Sequence, residues 1–125
     1  MTIEPGLRGK AQLVVTEADT AVAWRSGDVA VLGTPRVVAL VEEASLAAVG
    51  DRLPVGYTSV GMRVQLDHLA PSAIGATVDA EATLDKIEGR RLTFTVSVSD
   101  RRGLVAAGKV TRVVVEVERF LYKAQ

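Results

Sequence analysis

One stretch limits the possible folds more than any other. Between Thr34 and Val49 the side chains are apolar except for the opening threonine and Arg36, Glu42, Glu43 and Ser45. Thr34 suits an N-cap, and Pro35 suits the first helical position, where its missing N–H costs nothing. Gly50 follows as a stop signal. The pattern predicts a helix over 34–49 that is apolar around most of its circumference, and such a helix is buried rather than laid on a surface. The rest of the chain therefore has to wrap it.

The remaining sequence supplies strands. Residues 8–16 read as a first strand. Residues 17–33 are mixed and small, with Trp24 their only aromatic, and read as a loop with short helical pieces. After Pro54-Val55-Gly56 the period changes to two. Val60, Met62, Val64, Leu66 and His68 are expected on one face, with Gly61, Arg63, Gln65 and Asp67 on the other. Residues 75–87 form another strand, Glu88-Gly89-Arg90 a turn, and 91–99 alternates apolar Leu92, Phe94, Val96 and Val98 with Thr93, Thr95, Ser97 and Ser99. Asp100-Arg101-Arg102-Gly103 is a second turn, and 104–119 reads as a long last strand. One strand, a buried helix, then four strands joined largely by hairpins imply an α+β chain. Its antiparallel sheet is strongly curved around one long central helix, and a second subunit closes what the sheet leaves open. That is the hotdog arrangement, here as a single domain over 1–125.

Composition narrows the chemistry. The 125 residues are 48% hydrophobic, enough for a core without staples, and contain no cysteine and one histidine. A disulfide framework and a cysteine nucleophile are excluded, and metal ligands reduce to carboxylates plus His68. Zero formal net charge argues against broad electrostatic capture of nucleic acid. The start, Met-Thr-Ile-Glu-Pro-Gly, shows no basic region followed by an apolar run, and no apolar stretch approaches a membrane span. A soluble cytoplasmic protein is expected. No phosphate-loop, nucleotide-binding or nucleophile-elbow motif occurs.

Three residues draw notice for chemistry, each with an ordinary alternative. Glu43 falls nearly over Arg36 on the helix, so the two can share a solvated edge. Glu42 instead neighbours Val38, Ala39, Ser45, Leu46 and Val49; it sits either on an exposed rim or in a half-buried apolar site that suits a carboxylate to nucleophilic or general-base work. His68 continues the apolar parity of its strand, as a structural histidine or as a proton shuttle. Thr34 is a cap in either case, and the N–H groups of Gly33, Thr34 and the first turn point out of a positive helix end able to hold an oxyanion or phosphate.

The run from Thr34 through Glu42-Glu43-Ala-Ser, Thr58-Ser-Val-Gly61, His68-Leu-Ala-Pro71, Ile74-Gly75, Glu88-Gly-Arg-Arg-Leu92, and the ending Gly108…Arg112…Arg119-Phe120 resemble the fluoroacetyl-CoA thioesterase type of hotdog protein. The resemblance covers most of the chain from about residue 34. It rests on the spacing of a threonine, a glutamate eight residues on and a histidine 26 after that. It implies an acyl-CoA thioesterase acting on a small or medium acyl group, with Thr34, Glu42 and His68 as the catalytic set. It also implies Gly61 lining the acyl site and Arg112 close by on the last strand. CoA would be part of the substrate, with no retained cofactor. The family's lid carries phenylalanines; residues 17–33 here have none, so the resemblance speaks for thioester hydrolysis rather than for one acyl group.

Eight residues of helix rise about 12 Å, so Thr34 and Glu42 of one chain cannot both touch one carbonyl carbon. A two-fold homodimer, alone or paired into a tetramer, would let the helix start of one subunit meet the glutamate of the other. Phosphates of CoA would need exposed cations. Arg63, Arg90, Arg91, Arg101 and Arg102 are available, and none is singled out by sequence. A hotdog hydratase or dehydratase and a non-catalytic acyl-CoA-binding module are the competing readings. Hydrolysis predicts thiol release that depends on Glu42.

Overall fold

The computed structural model describes residues 3–125; Met1 and Thr2 of the chain start considered above lie outside them. Five strands form one antiparallel sheet: β1 (Arg8–Val14), β2 (Tyr57–His68), β3 (Thr77–Glu88), β4 (Arg91–Asp100) and β5 (Gly103–Glu116). A four-residue helix, α1 (Ala21–Trp24), precedes the long helix α2 (Thr34–Val49), and α3 (Val117–Lys123) ends the chain. The spatial order is β1-β3-β4-β5-β2. Only β3, β4 and β5 form a hairpin meander. β2 does not pair with β3, as a simple meander would have it, but crosses to the far edge beside β5.

Register explains the core. Leu92, Phe94, Val96 and Val98 of β4 are buried, as their alternation predicts; Leu84, Ala82 and Ala80 of β3 lie directly opposite Phe94, Val96 and Val98, and Val110 and Ala106 of β5 opposite Phe94 and Val98. Helix α2 presses Val37, Leu40, Val41, Ala44, Ala48 and Val49 onto this face. Phe94 is fully buried, and truncating a core aromatic to alanine typically costs about 3–5 kcal/mol. At β1 the packing is backbone against backbone: a Cβ at Gly9 would overlap Ala44 O and the Ala48 main chain. Three extra residues, Met62 in β2, Asp85 in β3 and Val105 in β5, break the ladders, and such bulges bend and twist strands. They supply the curvature that lets one sheet wrap a helix.

Several sequence expectations need correction. Helix α2 is not buried all round. Val38, Ala39 and Glu42 are half-buried, and Glu43, Leu46 and Ala47 are exposed, because one sheet covers only one stripe of the helix. Its N-cap is Gly33, so Thr34 already lies in the first turn and its hydroxyl makes no cap bond. Gly50 keeps right-handed dihedrals and leads into a 3₁₀ turn, Gly50–Arg52. Arg36 pairs not with Glu43 but with Asp19, at 3.1 Å. The last strand stops at Glu116, opposite Tyr57, the first residue of β2. Past it the Val117 N–H still donates to the Gly56 carbonyl, at 2.9 Å, and there the chain turns into α3.

The face assignment in β2 is right for half of the strand. Beyond the bulge, Val64, Leu66 and His68 face the helix side, opposite Val110, Gly108 and Ala106. Before it, parity is reversed. Ser59 and Gly61 face inward, opposite Val114 and Arg112, while Met62 is exposed. An isolated glycine inside a strand pattern is the sequence mark of such a bulge.

Candidate active site

Two clusters of polar side chains stand on the concave side, one near each end of the path between α2 and β2. The first lies at the start of α2. Thr34 Oγ1 is 2.8 Å from His68 Nδ1, which joins the first turn of the helix to the last residue of β2. Thr34 is exposed and His68 half-buried. His68 Nε2 is buried with no hydrogen-bond partner among the described residues. Burial pulls the imidazole below its ordinary pKa of 6.5; the Ala70 backbone opposes this in part, without a bond of ordinary geometry to Nε2. The ring is therefore neutral at neutral pH, the state a proton acceptor needs. An open pocket of about 280 Å³ surrounds the pair, walled by Ala21, Leu32, Leu69 and Pro71.

The segment before the helix is pinned in place. Asp19 accepts from the Thr16 N–H and hydroxyl, both at 2.8 Å, and from Arg36 Nε at 3.1 Å. Burial pushes its carboxyl up, but these donors more than offset that and hold it below the ordinary value. The Gly33 N–H is donated to the Asp19 carbonyl, so it is not free for a ligand. The Thr34 N–H makes no hydrogen bond among the described residues. With Pro35 lacking an N–H, the free main-chain donor at this helix start is that of Thr34.

The second cluster lies two turns along α2. Glu42 Oε2 is 3.3 Å from Arg112 Nη1. Arg112, 6% exposed, also donates from Nε to Ser59 Oγ and from Nη2 to the Ser59 carbonyl, each at 2.8 Å. Burial draws the guanidinium below its usual pKa, and the Glu42 charge opposes that. A Cβ at Gly61 would overlap Glu42 Oε2, so the carboxylate occupies space that only glycine leaves open. The structure thus brings Thr34 to His68, and Glu42 to Gly61 and Arg112. It does not bring the two groups together within one chain. Ser59 and Asp19 are site residues that sequence reasoning passed over. Ser59 was hidden because the bulge inverts its parity.

The family model for fluoroacetyl-CoA-specific thioesterase matches residues 15–118. The chain belongs to the fluoroacetyl-CoA-specific thioesterase family. It is 34% identical over 95 residues to the fluoroacetyl-CoA thioesterase of Streptantibioticus cattleyicolor, spanning 76% of this chain and 68% of that protein. Among solved structures it is similar to a point mutant of the fluoroacetyl-CoA-specific thioesterase FlK in complex with fluoroacetate and CoA. That match has 29% identity and a TM-score of 0.87, covering 94% of this chain and 99% of the other. It is also similar to a hot-dog-like protein from Thermanaerovibrio acidaminovorans, with 28% identity and a TM-score of 0.88 over 96% and 89% of the two chains. The fluoroacetyl-CoA-specific thioesterase family match takes in both clusters, and the five-stranded sheet curled around α2 is the hotdog fold.

Proposed function

We propose that this thioester hydrolase cleaves a small or medium acyl-CoA to the free acid and CoA, as a homodimer whose sites each join Thr34 and His68 of one chain to Glu42 of the other. The Thr34–His68 hydrogen bond carries the reading. It sets a hydroxyl and a free helix-start N–H beside a neutral imidazole, on an open pocket of about 280 Å³. The partly open apolar face of α2, Val38, Ala39 and Leu46 around Glu42, supports a second copy as its cover. The relatives named for fluoroacetyl-CoA, and the one holding CoA, support the substrate class.

In this mechanism Thr34 Oγ1 and its N–H hold the oxyanion that develops as the thioester carbonyl is attacked. Glu42 either aligns the water that attacks the carbonyl carbon, breaking the C–S bond to release the acid directly, or attacks that carbon itself, expelling the thiolate and leaving a mixed anhydride that water then hydrolyses to the acid. Arg112 holds Oε2, which leaves Oε1 to face the substrate. His68, neutral at rest, takes the proton released by the attacking water and passes it to the CoA sulfur. The cytoplasm is the setting proposed for it. Among the described residues no helix is long and apolar enough to cross a membrane.

A second reading follows from the same hydrogen bond. A hydroxyl within reach of an imidazole is also the arrangement of an activated nucleophile, so Thr34 itself could take the acyl group. Acid quenching during turnover followed by peptide mass analysis separates the two, by locating the acyl mass on Glu42, on Thr34 or on neither.

Mixing the Thr34→Ala and Glu42→Gln chains tests the shared site. Each homodimer is inactive. After subunit exchange at equal amounts, half of the dimers are mixed and each holds one intact site, so about a quarter of the wild-type activity returns. No recovery despite demonstrated exchange would show that each site draws on one chain alone.

A further inference from the structure

The loop from Leu69 to Ala76 leaves β2 and crosses the end of the sheet to reach β3. Its main chain is tied on both sides. The Leu69 and Ala70 N–H groups donate to the Val105 carbonyl, and the Ser72 carbonyl accepts from the Leu32 N–H. Between this loop and the β4–β5 turn lies a cleft of about 430 Å³, lined by Pro71, Ser72, Thr77, Asp100, Arg101 and Arg102 among others. Pro71 also lines the pocket around Thr34 and His68, so the two depressions meet over one residue.

Two independent features mark this cleft. Ser72 is 3% exposed, yet its hydroxyl has no hydrogen-bond partner among the described residues. A buried hydroxyl left unpaired is costly, and an acceptor arriving in the cleft would relieve it. The charge is also suited to an anion. Arg101 and Arg102 bring two guanidinium groups, while the Asp100 carboxylate is engaged by the Arg102 N–H at 2.8 Å. Two cations against one such carboxylate leave a net positive wall.

We infer that this cleft binds the phosphates of the CoA nucleotide while the thioester lies at Thr34 and His68. Arg101 and Arg102 pair with the phosphate oxygens, and Ser72 and Thr77 donate their hydroxyls after small side-chain rotations. The inference rests on the hydrolase reading above and extends it to the far end of the substrate. Within one chain, position favours these arginines over Arg90 and Arg91. Arg91 stands opposite Val113 of β5 and His68 opposite Ala106. That is seven residues of strand, or roughly 23 Å, which places the Arg90–Arg91 turn at the other end of the sheet from the histidine of its own chain.

The test compares wild type with Arg101→Ala/Arg102→Ala and with Ser72→Ala, each checked for unchanged melting. The substrates are three thioesters of the best-cleaved acyl group: on CoA, on 3′-dephospho-CoA, and on N-acetylcysteamine, which lacks the nucleotide. In the double variant the ratio of kcat/KM for the CoA thioester to that for the N-acetylcysteamine thioester should fall roughly tenfold, through KM. Ser72→Ala should lower the same ratio by a smaller factor. If the loss shrinks with the dephospho-CoA thioester, the 3′-phosphate is the group held; if it persists, the pyrophosphate is. A ratio within twofold of wild type in the double variant overturns the site. Calorimetry with adenosine 3′,5′-bisphosphate, and with ADP for the pyrophosphate, gives an answer that needs no turnover. Binding to wild type that is lost in the double variant supports the cleft even if every thioester resists hydrolysis, which would refute the hydrolase reading alone. No binding of either nucleotide to wild type counts against the cleft.

Discussion

The carboxylate of Glu42 fills the space that a side chain at position 61 would need, so the glycine in β2 and the glutamate in α2 are fitted to one another. The consequence is testable at a single methyl group. Gly61→Ala should push Glu42 Oε2 away from Arg112 and lower kcat/KM for thioester hydrolysis by roughly tenfold or more, since misplacing a reacting group is costly even over short distances. Its melting temperature should change little, because the displaced carboxylate is partly open to solvent. An active Gly61→Ala enzyme would mean that Glu42 does not act from this position.

Arg112 is fixed by its fork. It reaches Ser59 twice and Glu42 once, a geometry lysine cannot reproduce. Arg112→Lys should therefore lose most of the activity even though the charge is kept. Arg112→Met should in addition destabilise the fold by roughly 1–3 kcal/mol in urea unfolding, by leaving the Ser59 carbonyl unpaired. Full activity in the lysine variant would reduce Arg112 to a simple counter-charge.

Thr34 should tolerate serine and not valine. Thr34→Ser keeps the hydroxyl beside His68 Nδ1 and should stay within about tenfold of wild type. Thr34→Val keeps the shape and removes the donor, for an expected loss of roughly 10²–10³ in kcat, the usual effect of deleting one oxyanion donor. Equal rates for the two variants would remove the hydroxyl from the mechanism.

Burial holds His68 below its ordinary pKa of 6.5, and two pH effects follow. As pH falls past 6.5 the unfolded chain takes up the proton before the folded one, so stability declines from about 6.5 down to the folded value and levels off below it. In the same direction, the acid limb of kcat/KM should lie below 6.5, because the neutral ring persists to lower pH. Urea midpoints and rates measured between roughly pH 4 and 8 check both, and His68→Asn should flatten the stability slope. An acid limb above 6.5 would contradict the assignment.

Asp19 ties the segment before α2 to Arg36 and Thr16. Its carboxyl is held below the ordinary 3.8, so its stabilisation is present above that value and is lost as pH falls through the folded one. Asp19→Ala should cost roughly 1–3 kcal/mol and make residues 17–33 easier to cleave in limited proteolysis. Unchanged cleavage would show that the segment is held by its apolar contacts alone.

How much of this was legible beforehand depends on how local each signal is. The span of the helix over 34–49 was readable because an apolar run between Gly33 and Gly50 leaves little alternative, while its cap proved to be Gly33 and not Thr34. The alternation in 91–99 was readable because β4 is central, with a strand on each side and one face on the core. Glu42 could be singled out from its position on that helix and His68 from its parity on β2, and their roles came from the family resemblance. What the sequence did not reveal depends on partners distant along the chain. The crossing of β2 to the far edge decides that it meets β5. The bulge at Met62 turns Ser59 and Gly61 inward, where Arg112 and Glu42 wait. The pairing of Arg36 with Asp19 rather than Glu43 needs the fold of 17–33 against the helix. The end of β5 at Glu116 needs the knowledge that β2 begins at Tyr57. Periodicity records which side of an element is apolar, because burial acts on each residue separately. Only the tertiary structure decides which polar groups meet, because a hydrogen bond requires two groups to arrive at one place.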